Sequence, residues 1–226
     1  MKNFFEIHNS THGIGRDYPQ AQGITTEARM LLENTELINS KEDRGTYING
    51  FIIERSAKLT DLLSVASITP SDGLLVSRTF KDLLEKYFLG ENMFIPASII
   101  KRGSLEKLVE YYLFVPEKRG YQYLNFDEYE FYYSHQKDRK FKIVNYIEYE
   151  YLYSKQKVNE ILKCSQFRSK EAVFVNNSFP LDIGVIYWGD SFDLNTVYVS
   201  EELKVSIIQH NLSGIEFGDS IVVKST

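Results

Sequence analysis

One cysteine and one tryptophan stand among 226 residues, with only five prolines and three methionines. A lone Cys164 excludes an internal disulfide and fits a reducing compartment, where it reads as a small buried hydrophobe. No stretch of the sequence approaches the ~18 apolar residues in a row that a membrane-spanning helix needs. The opening MKNFFEIHNSTHGIGRD turns polar by Glu6, without the apolar run and small-residue cleavage site of a secretory signal. A cytoplasmic protein with no membrane partner is therefore expected. Positive charge is also in short supply: 26 Lys and Arg stand against 31 Asp and Glu, a formal charge of −5 at pH 7. Because clustered Lys and Arg supply most nucleic-acid affinity, this balance argues against such a partner and favours a neutral or basic one.

Aromatic residues are plentiful instead, with 16 Tyr and 15 Phe. Tyr favours pleated, half-buried surfaces, so a large Tyr-rich sheet is expected. A chain of this length buries roughly 70% of its unfolded surface without staples. It reads as a single domain over 1–226, or as two packed lobes near 1–116 and 117–226.

Periodicity places the elements. Residues 8–26, with Gly13, Gly15, Pro19 and Gly23, read as irregular, followed by a short helix over 27–34 capped by Thr26. Residues 46–54 form a strand, and 59–65 a short helix or turn. Leu74 to Val76 is a short apolar strand, after which Ser77 caps a helix whose inward positions are Phe80, Leu83, Leu84, Tyr87 and Phe88, closed by Gly90. Residues 94–100 and 108–115 are strands joined at Lys101-Arg102-Gly103. The segments 126–133 and 141–153 alternate Tyr and Phe with acids around a polar turn at 135–140. They predict a hairpin with one aromatic face and one acidic face carrying Glu128, Glu130, Glu148 and Glu150. A short helix over 155–163 and strands over 172–175 and 181–187 follow. Val197 to Val199 is then another apolar strand, Ser200 a cap, and 201–210 a helix with Leu203, Ile207 and Ile208 inward. The fold class is thus α+β, mainly antiparallel, with a few short helices and two similar strand-Ser-helix units. Aligned, LLVSRTFKDLLEK and VYVSEELKVSIIQ share the apolar strand, the capping Ser, an apolar residue three beyond it and a Lys four beyond it. Duplication and a common local grammar both account for that match.

Patterns that carry chemistry are weak. His8 and His12 have helical metal-binding spacing, but Asn, Ser and Thr between them argue for a loop and no carboxylate completes a ligand set. Gly13-Ile14-Gly15 begins like a dinucleotide loop, yet Tyr18 occupies the third glycine position. Cys164 needs His135 or His210 beside it to act as a nucleophile. The paired acids on the predicted hairpin read first as a solvated face and second as a surface for a charged partner. No catalytic residue, cofactor or metal is expected.

The C-terminal stretch VYVSEELKVSIIQHNLSGIEF resembles the closing motif of a bacterial family long described only as a domain of unknown function, now grouped with the immunity proteins of polymorphic toxin systems. The matching positions are Val199, Ser200, Glu201, Glu202, Leu203, Ser213, Gly214, Ile215, Glu216 and Phe217. Leu74 to Leu84 is similar to the family's mid-chain strand, Ser and helix, and Tyr123 to Phe131 to its acidic segment, with Tyr129 where Ser is more usual. The resemblance implies a toxin-binding antidote and carries over no catalytic residues; Ser77, Ser200, Gly214 and Phe217 are expected to hold the fold together. Two other classes stand beside it: a small hydrolase or transferase built from distant residues, and a self-associating scaffold.

Overall fold

A computed structural model describes residues 2–15, 18–26, 28, 30, 48–65, 73–90, 92–103, 107–115, 131–133, 136–141, 162–164, 182–186 and 196–223. The protein is α+β and mostly strand, with two short helices delimited among the described residues. In chain order the elements are β1 (Lys2–Asn9), β2 (Ala21–Ile24), β3 (Ile48–Ile53), β4 (Leu62–Leu63), β5 (Leu74–Ser77), α1 (Arg78–Leu84), β6 (Met93–Lys101) and β7 (Lys107–Val115). Then come β8 (Phe131–Tyr133), β9 (Gln136–Phe141), β10 (Leu162–Cys164), β11 (Ile183–Ile186), β12 (Thr196–Ser200), α2 (Glu201–Gln209) and β13 (Ile215–Val223).

The largest sheet has the order β2-β3-β6-β7-β5-β4, antiparallel except for the β3–β6 pair. Its two ends meet, because the Ala21 amide donates to the Ser64 carbonyl at 2.9 Å and Ala21 bridges Val65. The sheet therefore curls shut around a core of Phe51, Ile53, Leu63, Leu75, Ile95, Ala97, Ile99, Tyr111 and Leu113. Period-two alternation sends the intervening residues Leu62, Val76, Phe94 and Phe114 outward, onto a second core shared with α1. That second core also receives Ile7, Val197, Val199, Leu203 and Ile207 from a four-stranded antiparallel sheet, ordered β11-β12-β1-β13, and its helix α2. A separate three-stranded sheet has the order β10-β8-β9.

Inside the barrel, polar groups are satisfied in pairs. Gln20, fully buried, donates through Nε2 to Thr60 Oγ1 at 3.0 Å and accepts at Oε1 from the Ser64 amide at 3.0 Å. The Tyr111 hydroxyl donates to the Thr60 carbonyl at 2.8 Å. Burial, and secondarily the Asp61 carboxylate, push the Tyr111 phenol above its ordinary range, so it remains a neutral donor.

Several elements differ from expectation. Residues read as irregular include the end of β1 and all of β2, and residues read as a helix or turn contain β4. Helical backbone begins at Thr26, and Thr25 Oγ1 is the acceptor, taking the Ala28 amide at 3.2 Å. The cap is therefore Thr25. Helix α1 stops at Leu84, leaving Tyr87 and Phe88 in the following turn, where Phe88 is exposed. Ile208 on α2 also faces solvent, since the inward stripe is Leu203 and Ile207. The expected polar turn at 135–140 holds most of strand β9, which pairs Phe141 and Lys140 with Phe131 and Tyr132 of β8. The expected helix over 155–163 ends in strand β10, whose Leu162 and Lys163 pair with β8. Residues 215–217, which close the C-terminal motif, open the nine-residue strand β13.

Candidate functional site

The two Ser residues singled out in sequence both sit at N-caps with extended backbone. Ser77 Oγ accepts the Phe80 amide at 3.1 Å, and Ser200 Oγ accepts the Leu203 amide at 3.2 Å. Each bond satisfies a donor that the first helical turn leaves without an intrahelical partner. Helix α2 adds Glu201 and Glu202 in its first turn, where negative charge complements the helix dipole.

Each cap faces the aspartate that immediately precedes the strand paired with its own. The Ser77 amide donates to the Asp61 carbonyl at 2.8 Å, and the Ser200 amide to the Asp182 carbonyl at 2.7 Å. The carboxylates then reach across to the opposite unit. Asp61 Oδ2 accepts the Ser213 amide and hydroxyl, each at 2.8 Å, in the loop behind α2. Asp182 Oδ2 accepts the Phe88 amide at 3.1 Å, in the turn behind α1. Asp61 Oδ1 also accepts from Ser77 Oγ at 2.7 Å, so one carboxylate joins the cap of α1 to the exit of α2. Bonds to charged acceptors are the stronger class, and backbone bonds stand beside them: the Leu62 amide donates to the Ser213 carbonyl at 3.1 Å and the Asp182 amide to the Phe88 carbonyl at 2.8 Å.

Gly214 follows directly. Its φ is +79°, and an added Cβ would lie 2.3 Å from the Leu62 carbonyl oxygen and 2.6 Å from Thr60 Oγ1. Only glycine fits both that backbone and that contact. The Gly214 carbonyl accepts the Ser10 amide at 2.9 Å. Phe217 packs against the shared core, and the Lys204 ammonium lies 5.1 Å from its ring centroid and 3.5 Å from that of Phe5. The C-terminal motif thus forms a joint between the two sheets.

The remaining candidates do not converge. Glu128, Glu130, Glu148 and Glu150 lie outside the described residues, as do His135 and Trp188. Cys164 ends β10 opposite Phe131. His210 is exposed at the end of α2, with Nδ1 2.8 Å from the Ser206 carbonyl. His8 is on a strand, not in a loop, and pairs with Glu6 at 3.1 Å. His12 pairs with Glu216 at 2.9 Å. Hydrogen bonds from Ser10 and then His12 hold the Glu216 carboxyl below the usual carboxylate range. Gly13 and Gly15 have φ of +71° and +107° and shape a turn around buried Ile14, whose carbonyl accepts the Lys58 amide at 2.8 Å. Among the described residues no group of three His, Cys, Asp or Glu side chains is placed to hold a metal, and no helix is long and apolar enough to cross a membrane.

Sequence reasoning missed Asp61 and Asp182. Their only signal is the pattern of Asp followed by an apolar residue at the start of the strand that pairs with each Ser-ended strand. Compared with known proteins, the chain matches no family model and no curated protein.

Proposed function

We propose that this protein is an immunity protein, an antidote that binds a cognate bacterial toxin in the cytoplasm and neutralises it by covering its active site or another essential surface. The observation that carries this reading is the C-terminal motif. Ser200, Leu203, Ser213, Gly214 and Phe217 each have a separate task in one joint, as cap, core, clasp, close approach and aromatic platform. A motif so tied to one tertiary arrangement supports a scaffold shared with the family it resembles, and that resemblance implies toxin binding.

The charge of −5 suits a basic partner, which is the character of many proteins that act on nucleic acid. Glu128, Glu130, Glu148 and Glu150 are the surface we assign to the toxin. Complementary charge there speeds encounter more than it deepens affinity. A pull-down with the product of the adjacent gene tests the binding, and replacing the four acids with Lys tests the surface. Capture of that product, with association slowed at least ~10-fold at low salt in the four-Lys variant, supports both. No capture overturns the function, and capture with unchanged association overturns the surface.

A further inference from the structure

The two capped units correspond well beyond the segments whose sequences align. Strand β5 lies between β4 and β7, with β6 beyond β7; strand β12 lies between β11 and β1, with β13 beyond β1. All six of these pairings are antiparallel. Register fixes the equivalences residue by residue. Val76 faces Tyr112 as Val199 faces Phe5, and Ser77 faces Tyr111 as Ser200 faces Phe4. One further strand out, Phe114 faces Phe94 as Ile7 faces Phe217. Strands β6 and β13 are each nine residues long.

The lysine four residues past each cap provides an independent check. Lys81 Nζ lies 5.3 Å from the Phe94 centroid and 5.2 Å from that of Tyr112. Lys204 lies over Phe217 and Phe5, the two residues that register alone had made equivalent to Phe94 and Tyr112. Each helix thus lays one cation across the same two positions of its own sheet. A local strand-cap-helix grammar has no reason to match the far strands of two separate sheets.

We infer that the chain contains two copies of one five-element unit, β4-β5-α1-β6-β7 and β11-β12-α2-β13-β1, the second taking its last strand from β1. The copies face each other through the shared core and lock by a reciprocal clasp. Asp61 of the first holds the loop behind α2, and Asp182 of the second holds the turn behind α1. Tyr87, behind α1, also hydrogen-bonds Ser206 of α2 through its hydroxyl. The clasp makes the pair one opening unit: neither helix exit can leave without releasing a carboxylate that the other unit supplies. This arrangement stands independently of the toxin partner.

Two experiments test it. The first moves residues 1–10 to follow β13 through a linker with the sequence of residues 102–106, giving the second unit the chain order of the first. The rearranged chain is expected to unfold cooperatively with a midpoint within about 4 °C of the parent, a minor shift for a protein of this length. Loss of cooperative unfolding overturns the equivalence of β1 and β7. The second follows native-state hydrogen exchange in Asp61→Asn and Asp182→Asn. The first substitution is expected to speed exchange at Ser213 and the second at Phe88, each at least ~10-fold, while in the parent the α1 and α2 amides lose protection together in denaturant. Release of α1 in a step that leaves α2 protected in the parent, or unchanged exchange at both amides in the variants, overturns the clasp.

Discussion

The two sheets treat their helix-facing sides alike and their far sides differently. On β7, the barrel residues Leu113 and Val115 point into a closed core, at 0% and 9% exposure. At the matching positions of β1 stand Glu6 and His8, paired at 3.1 Å with 20% and 45% of their side chains exposed. Gly218 on the adjoining strand leaves room for them, because a Cβ there would fall 2.5 Å from His8 Nε2. One unit therefore serves two purposes according to what lies behind it. The helix side sets the architecture, and the far side is free to become core or surface.

Exchanging the two far faces would break that comparison most sharply. Leu113→Glu places an unpaired carboxylate in the barrel and is expected to cost more than ~4 kcal/mol, read as loss of the folded baseline in urea. Glu6→Leu, at the equivalent half-buried position, is expected to change stability by less than ~1 kcal/mol in the same titration.

The glycines give the next largest effect. Gly214→Ala combines a left-handed backbone with a 2.3 Å contact and should lose more than ~2 kcal/mol. Gly13→Ala has similar φ but open space around it, so only the backbone penalty of about 1 kcal/mol is expected. Thermal midpoints of the two variants separate the contact from the conformation.

Cap removal sharpens the likeness of the units. Ser77→Ala and Ser200→Ala should each cost ~1 kcal/mol, with Ser77→Ala the larger because Asp61 loses a donor as well. Urea midpoints measured side by side decide the order.

Glu216 gives the smallest effect, and it depends on pH. Its folded-state pKa is lowered by Ser10 and His12. A lowered pKa contributes stability that is present above the unfolded value, about 4.3, and is lost as pH falls through the folded value. The parent is therefore expected to exceed Glu216→Gln slightly at pH 7, with the two converging in acid when midpoints are followed downward.

The pattern of these effects follows what was legible in the chain. Ser77 and Ser200 could be read because a cap is a local arrangement: one side chain and an amide three residues on. β6 and β7 could be read because apolar runs flank a turn at Gly103, whose φ is +82°. The end of α1 was misplaced because Tyr87 and Phe88 continue the apolar spacing after the backbone has left the helix. Strand β9 escaped because QKDRKF carries no apolar alternation, and its strand character comes from pairing with β8. Asp61 and Asp182 escaped for a deeper reason. Their partners lie 152 and 94 residues away, and nothing beside an aspartate in sequence announces which distant amide it will accept.

Growth of cells expressing the product of the adjacent gene, with and without this protein, tests the functional account most directly. The account predicts arrest in its absence and restored growth in its presence, with restoration reduced when Gly214→Ala disturbs the joint. Arrest that persists despite soluble, folded protein would contradict it.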